Sequence, residues 1–400
     1  MIKNITDILL SKKTVYLCLF SMLFYYIFMY NAFDNWGNKY RDFGVNSMTF
    51  PGGDSRNIQK AALCYSKGFS YYSDNDCFNN SKIITDLYPE SQTTPAYNYP
   101  PIVADVYGFF NDFSESFFQK FWFFNMLLLF VTILVYSFKY NYLLFPVILF
   151  SPVTLLAIER ANIDGTAFAI LFLPLILSTS IFIHLTFIGL ASSIKLFPIV
   201  SYLILFRDKT DNFIKKLSAL IIVLPLLLYS LFYFKEYTKA TLYGFQSSFG
   251  LFSLKNSPYL LNYSQISTSL IIVYLILIIT LVFFMLRAKR FMNSLLLNIK
   301  KLNKTKIHIL LISLIVYISV FVVFTNWGYR FIFLIPAFLI LSKLNDFISR
   351  ISFSLIFITL WIPLIPHGWS FFNLFNYALF PWISIIFIIS YKVHFLTKIK

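Results

Sequence analysis

Of 400 residues, 58% are apolar, 20% aromatic and only 12% charged. Soluble domains carry about 25% charged residues, so a soluble surface over this length is excluded. The net charge of +16, from 33 basic and 17 acidic residues, would suit nucleic acid. Its distribution excludes that, because the basic residues fall in short loops between apolar runs.

Runs of about 20 apolar residues predict membrane helices. The clearest are Val15–Phe33, Phe117–Ser137, Leu217–Phe234, Thr268–Leu286, Ile307–Thr325 and Ser352–Pro366. The first is long and is not followed by a small-residue cleavage site, so it reads as a retained anchor. The N-terminus, Lys139 and the loops Arg207–Lys216, Arg287–Lys306, Lys343–Arg350 and Lys392–Lys400 hold 20 of the 33 basic residues. They are assigned to the cytoplasm by the positive-inside rule. The long segment Asp34–Ser116 has 6 basic and 10 acidic residues and is assigned to the outside.

Alternation then fixes most of the order. The helix over Phe117–Ser137 returns to the cytoplasm at Lys139, Tyr142–Ile158 goes out and Ile163–Leu177 comes back. A single crossing through Ile183–Phe206 would put the basic loop Arg207–Lys216 outside. That run contains Lys195 and Pro198, and proline breaks helices. A broken element is therefore expected: a helix to about Leu196, a turn over Lys195–Pro198 and a short return to Arg207. The alternative is that Ile163–Leu177 does not cross. The fold class is an all-α, polytopic membrane helical bundle with about twelve hydrophobic crossings, some broken or short. It forms one domain over residues 1–400, and the outer loop 34–116 carries amphipathic helices and contributes the active site.

The outer segments hold the residues able to do chemistry. Phe50-Pro51-Gly52-Gly53-Asp54 precedes Ile58, Ala61, Ala62, Tyr65 and Phe69 on one helical face. This predicts a surface-lying amphipathic helix, capped by Asp54 and ended by Gly68. Asp54 is either a cap alone or also a carboxylate at the mouth of a membrane site. Tyr97-Asn98-Tyr99-Pro100-Pro101 predicts an extended stretch and then a helix start, with Asp105 on that helix as a second candidate. Glu159-Arg160-Ala161-Asn162-Ile163-Asp164 groups polar residues between apolar runs, where Glu159 and Arg160 could pair locally. An intramembrane charge such as Lys195 is costly and marks a functional path unless it snorkels. Arg330 puts a cation at the outer end of another helix. Cys64 and Cys77, 13 positions apart in the outer loop, are either a disulfide or two thiols. No Cys/His spacing suggests a metal site, and no cofactor is expected.

The ordered set Gly53-Asp54, Tyr99-Pro100-Pro101, Glu159-Arg160-x-Asn162-Ile163-Asp164, Lys195-Leu196-Phe197-Pro198 and Tyr329-Arg330-Phe331 resembles the C-type (GT-C) glycosyltransferase superfamily. Within it, family 87, the polyprenyl-phosphate-mannose-dependent type, is most similar. The resemblance covers roughly residues 45–205 and 325–340, and departs at Ala161, where the family often has glycine. It implies inverting transfer of a hexose, mannose-like, from a polyprenyl-phosphate sugar to a glycan or glycolipid acceptor of the cell envelope. It maps the family's acidic base onto Asp54. Phosphate needs positive charge as it leaves, which Lys195, Arg330 and Arg160 can supply. Tyr97, Tyr99, Glu159, Asn162, Asp164 and Asp105 are assigned to substrate binding, the tyrosines by stacking on sugar faces. The competing classes are a lipid-linked glycan polymerase or ligase, whose large outer loop would come late, and a transporter or flippase, which needs a polar path through the membrane. Sequons at Asn79 and Asn262 would suit a eukaryotic lumen. A multi-pass protein of a bacterial inner membrane, its site facing the periplasm, is the expected setting.

Overall fold

The computed structural model describes residues 53–72, 97, 99–110, 112–160, 162–207, 213–239, 248–249, 279, 288–323, 326–364 and 368–396. The apolar runs Val15–Phe33 and nearly all of Thr268–Leu286, the Phe50-Pro51-Gly52 stretch, Cys77 and most of the loop 34–116 lie outside these residues. The described chain is helical apart from one antiparallel two-residue ladder, β1 (Ser248–Phe249) against β2 (Asn326–Trp327). In order it forms α1 (Gly53–Ser66), α2 (Pro101–Phe109), α3 (Glu115–Tyr140), α4 (Phe145–Leu149), α5 (Pro152–Glu159), α6 (Asp164–Leu177), α7 (Ile181–Ile194), α8 (Tyr202–Phe206), α9 (Phe213–Phe232) and α10 (Phe234–Lys239). Then come α11 (Lys289–Lys300), α12 (Lys304–Val323), α13 (Ile335–Leu341), α14 (Phe347–Trp361) and α15 (Gly368–Leu396).

Five stretches are long and apolar enough to cross a membrane: Ser116–Tyr140, Phe213–Phe232, Lys304–Val322, Phe347–Leu364 and Phe375–Phe395. A sixth arises if the pair Tyr142–Leu149 and Pro152–Glu159, bent by 57°, is one span. Helices α6 and α7 have 14 residues each. At 1.5 Å per residue each is roughly 21 Å long, short of the roughly 30 Å hydrocarbon core.

The break at Lys195–Pro198 is present. Helix α7 stops at Ile194, a 3-10 turn covers Phe197–Ser201, and α8 follows. The Tyr202 hydroxyl donates to the Leu185 carbonyl at 2.9 Å. Seventeen residues of continuous helix would hold these groups roughly 25 Å apart, so the chain after Pro198 folds back along α7. Helix α9 then packs on α7 at Gly189. A Cβ there would lie 2.3 Å from Val223 Cγ2 and 2.6 Å from the Tyr202 hydroxyl. Gly189→Ala is therefore expected to cost about 1–3 kcal/mol through overpacking, read as a lower midpoint in heated-sample gel filtration. An unchanged midpoint would mean that the two helices separate freely.

Helix α1 forms as expected, and Gly68 ends it with φ +84, a left-handed conformation that glycine adopts without a Cβ penalty. Two expectations are corrected. Asp54 lies inside the first turn rather than at the cap. The helix also does not lie with its polar face in water: Asn57, Gln59 and Lys60 are buried while Tyr65 is exposed. The polar face docks on the segment joining α2 to α3. Gln59 donates to the Phe113 carbonyl at 2.8 Å, and the Arg56 guanidinium lies 4.3 Å from the Phe118 ring centroid. The other face, Ile58, Ala61 and Ala62, joins Tyr97, Tyr99, Val103, Ala104 and Tyr107 in a small core over one end of the bundle.

The two ends of the bundle differ in charge. At the end away from α1, Lys306 faces the Tyr140 ring, Asn141 bonds to Ser342, Arg207 bonds to Tyr391 and Asn298 bonds to Asp346. There the His308 and His394 Nε2 atoms meet at 3.0 Å. Among the described residues, Lys139, Arg207 and Lys306, assigned to the cytoplasm, thus lie at one end, and the candidate site residues at the other.

Candidate functional site

The site is built on the turn between α5 and α6. Helix α5 starts at Ser151-Pro152, with the serine accepting from the Thr154 N–H and proline in the first turn. It ends in Glu159, and its C-cap Arg160 is buried beside it, the Arg160 Nε lying 3.1 Å from Glu159 Oε2. The two charges are mutually compensating, as buried charges must be. The Arg160 carbonyl accepts the backbone N–H of Asp54 at 3.1 Å. A first-turn N–H has no partner within its own helix, so this bond fastens the start of α1 to the α5–α6 turn.

Asn162 is 2% exposed and uses both ends of its amide. Its Oδ1 accepts the Asp164 N–H at 2.8 Å, capping α6. Its Nδ2 donates to Asp54 Oδ2 at 2.5 Å and to the Tyr99 hydroxyl at 3.0 Å. The backbone donor at Oδ1 fixes which end of the amide faces Asp54. The Asp54 side chain is half-buried.

Asp164, fully buried in the first turn of α6, gathers the cations. Lys195 Nζ lies 3.2 Å from Oδ1, and Arg330 Nε lies 3.1 Å from Oδ2. Lys195 follows the last residue of α7, and Arg330 lies in the 3-10 turn Gly328–Leu334. The Lys195 ammonium also lies 3.9 Å from the Tyr99 ring centroid, and the Arg330 guanidinium 5.7 Å from that of Phe197. Burial lowers the Lys195 ammonium to about 8, against the pull of the Asp164 carboxylate, and Arg330 lowers it further while Asp54 opposes. Lys195 sits in the turn rather than within a long apolar span. Two cations on one carboxylate leave one positive charge in excess within the triad, next to Asp54.

Lys195 and Arg330 thus meet on one carboxylate, Asp164, a residue that the sequence assigned to substrate binding rather than to holding the cations. Its signal was there: a carboxylate at a helix start in a chain whose outer segments also carry Lys195 and Arg330.

The remaining candidates separate from this group. Tyr97 is fully buried, its hydroxyl donating to the Pro100 carbonyl at 2.8 Å and accepting from the Ala104 N–H at 3.1 Å. It caps α2, whose own cap residue Pro100 offers no side-chain bond, and stacking on a sugar is not open to it. Tyr99 is also buried, turned toward Asn162 and Lys195. Glu159 is the counter-charge of Arg160. Asp105 accepts from the Tyr71 hydroxyl and, at 2.8 Å, from the Tyr229 hydroxyl. Burial and the Asp105 carboxylate push the Tyr71 phenol well up. Asp105 therefore ties α2 to the segment after α1 and to α9, beyond the tyrosine cluster from Asn162. Cys64 on α1 is disulfide-bonded. Among the described residues, no three His, Cys, Asp or Glu side chains group as metal ligands.

In comparison with known proteins, the chain matches no family model, no curated protein and no solved structure.

Proposed function

We propose that the chain is a C-type membrane glycosyltransferase, most similar to family 87, that moves a mannose-like hexose from a polyprenyl-phosphate donor to a glycan or glycolipid acceptor of the cell envelope. The observation that carries the reading is one carboxylate, Asp54, held beside a buried Lys195–Asp164–Arg330 triad with excess positive charge. Inverting transfer needs these two elements side by side. Asp54 takes the proton of the acceptor hydroxyl as its oxygen bonds to the anomeric carbon. The bond from that carbon to the phosphate oxygen breaks on the opposite face, and the phosphate leaves with the electron pair. Lys195 and Arg330 meet the charge that develops there. Arg160, compensated by Glu159, contributes less.

In this reading the site end faces the periplasm and the basic end the cytoplasm. The disulfide at Cys64 supports that orientation, because disulfides persist in oxidising compartments.

The test is purified full-length protein incubated with polyprenyl-phosphate mannose, glucose and galactose in the presence of membrane glycolipid, reading release of polyprenyl phosphate. Release from at least one donor is expected, and none from any of the three overturns the reading. Lys195→Met and Arg330→Met each leave a neutral one-to-one pair with Asp164, so the fold survives. Each is expected to raise the donor Kd about tenfold or more, since a charge-assisted bond to phosphate is worth roughly 1.5–3 kcal/mol. Unaltered donor affinity in both variants would remove the phosphate from this triad.

A further inference from the structure

We infer that Asn162 is the positioning residue of the Asp54 carboxylate, an assignment that rests on the reading of Asp54 as the base. Three bonds converge on one buried side chain. The Asp164 N–H holds Oδ1 at 2.8 Å, and this leaves Nδ2 directed at Asp54 Oδ2, 2.5 Å away, and at the Tyr99 hydroxyl, 3.0 Å away. The Asn162 amide therefore joins the carboxylate on α1 to the same turn that starts α6 and carries the counter-ion of Lys195 and Arg330. A base acts only within about 3 Å of the proton it takes. Asp54 could swing about its own side-chain torsions, and one fixed donor on Oδ2 restricts that swing. The base and the cations are then set at one distance by one residue between them, as effective concentration requires.

A capping role alone is the competing account, and one substitution separates the two. Asn162→Asp keeps the oxygen that accepts the Asp164 N–H, and so keeps the cap, but replaces the donor to Asp54 with a second carboxylate oxygen that repels it. Asn162→Leu removes both. With the donor turned over fastest by the full-length protein, both variants are expected to lower kcat at least tenfold with donor KM within about twofold. Adding Asn162→Asp to Asp54→Asn is expected to cost nothing further, because a residue that acts through another has no effect once the other is gone.

Wild-type kcat in Asn162→Asp, with a loss only in Asn162→Leu and a lowered thermal midpoint there, reduces Asn162 to a cap and overturns the assignment. So do losses that multiply in the double variant. If Asn162→Leu does not fold, Asn162→Asp carries the test alone. Asp54→Asn at wild-type rate overturns the base and Asn162 with it. An inactive Asp54→Asn beside a fully active Asn162→Asp overturns Asn162 only.

Discussion

Asp54→Asn is expected to lower sugar transfer by roughly two orders of magnitude or more, while the chain folds, inserts and binds donor as before. The reasons are local. The bond from the Asp54 N–H to the Arg160 carbonyl belongs to the backbone and survives the change. The substituted side chain keeps an oxygen to accept from Asn162 Nδ2. What disappears is the proton acceptor. Asp105→Asn is the comparison, expected to cost far less, because the Asp105 carboxylate is occupied by the Tyr71 and Tyr229 hydroxyls. Release of polyprenyl phosphate measures both. An active Asp54→Asn beside an inactive Asp105→Asn would show that the base is the other carboxylate, and two active variants would remove the single-base mechanism.

Asp164→Leu should have the largest effect on folding. Removing a buried carboxylate takes from Lys195 and Arg330, one nine-tenths buried and the other nearly so, the charge that both of them contact. Breaking a buried pair by removing one partner costs about 3–5 kcal/mol, and here two cations lose the same partner. Heated-sample gel filtration should show a large fall in midpoint or no folded protein. Adding Lys195→Met should recover part of the loss by removing one of the two like charges that Asp164 held together. A midpoint equal to wild type in Asp164→Leu would mean that something else balances these charges.

Much of this arrangement was legible in the sequence. Composition gave the helical membrane class, and parity of charged loops gave the break at Lys195–Pro198, because a basic loop has one acceptable side. Gly68 marked the end of α1, and Pro100-Pro101 the start of α2. What stayed hidden depends on which surfaces meet. An amphipathic surface helix implies a polar face in water, yet Asn57, Gln59 and Lys60 are buried, Gln59 against the Phe113 carbonyl. Tyr97 read as a sugar platform because an aromatic next to a proline turn carries no sign of whether its ring points in or out. Asp164 read as a substrate-binding residue, not as the counter-charge of two cations. Its central place exists only because α7 ends, and the 3-10 turn at Arg330 begins, at the same height as the start of α6. The crossing count was hardest to read, since 14-residue apolar helices such as α6 and α7 resemble spans in composition but not in length.

The gathering of lysines and arginines at one end of the bundle has an electrical consequence. In a membrane held at a potential, moving one elementary charge across costs about 2.3 kcal/mol per 100 mV. Turning the bundle over would carry Lys139, Arg207, Lys306 and Arg350 through the field together, while the site end, where Arg160, Lys195 and Arg330 stand against Glu159, Asp164 and Asp54, would return little net charge. At 100 mV the work summed over these four charges is about 9 kcal/mol, comparable with the roughly 5–15 kcal/mol by which most folded states are held. An energised membrane therefore acts on this chain as a ratchet: once the basic end stands on the negative side, the field opposes every path that would invert it.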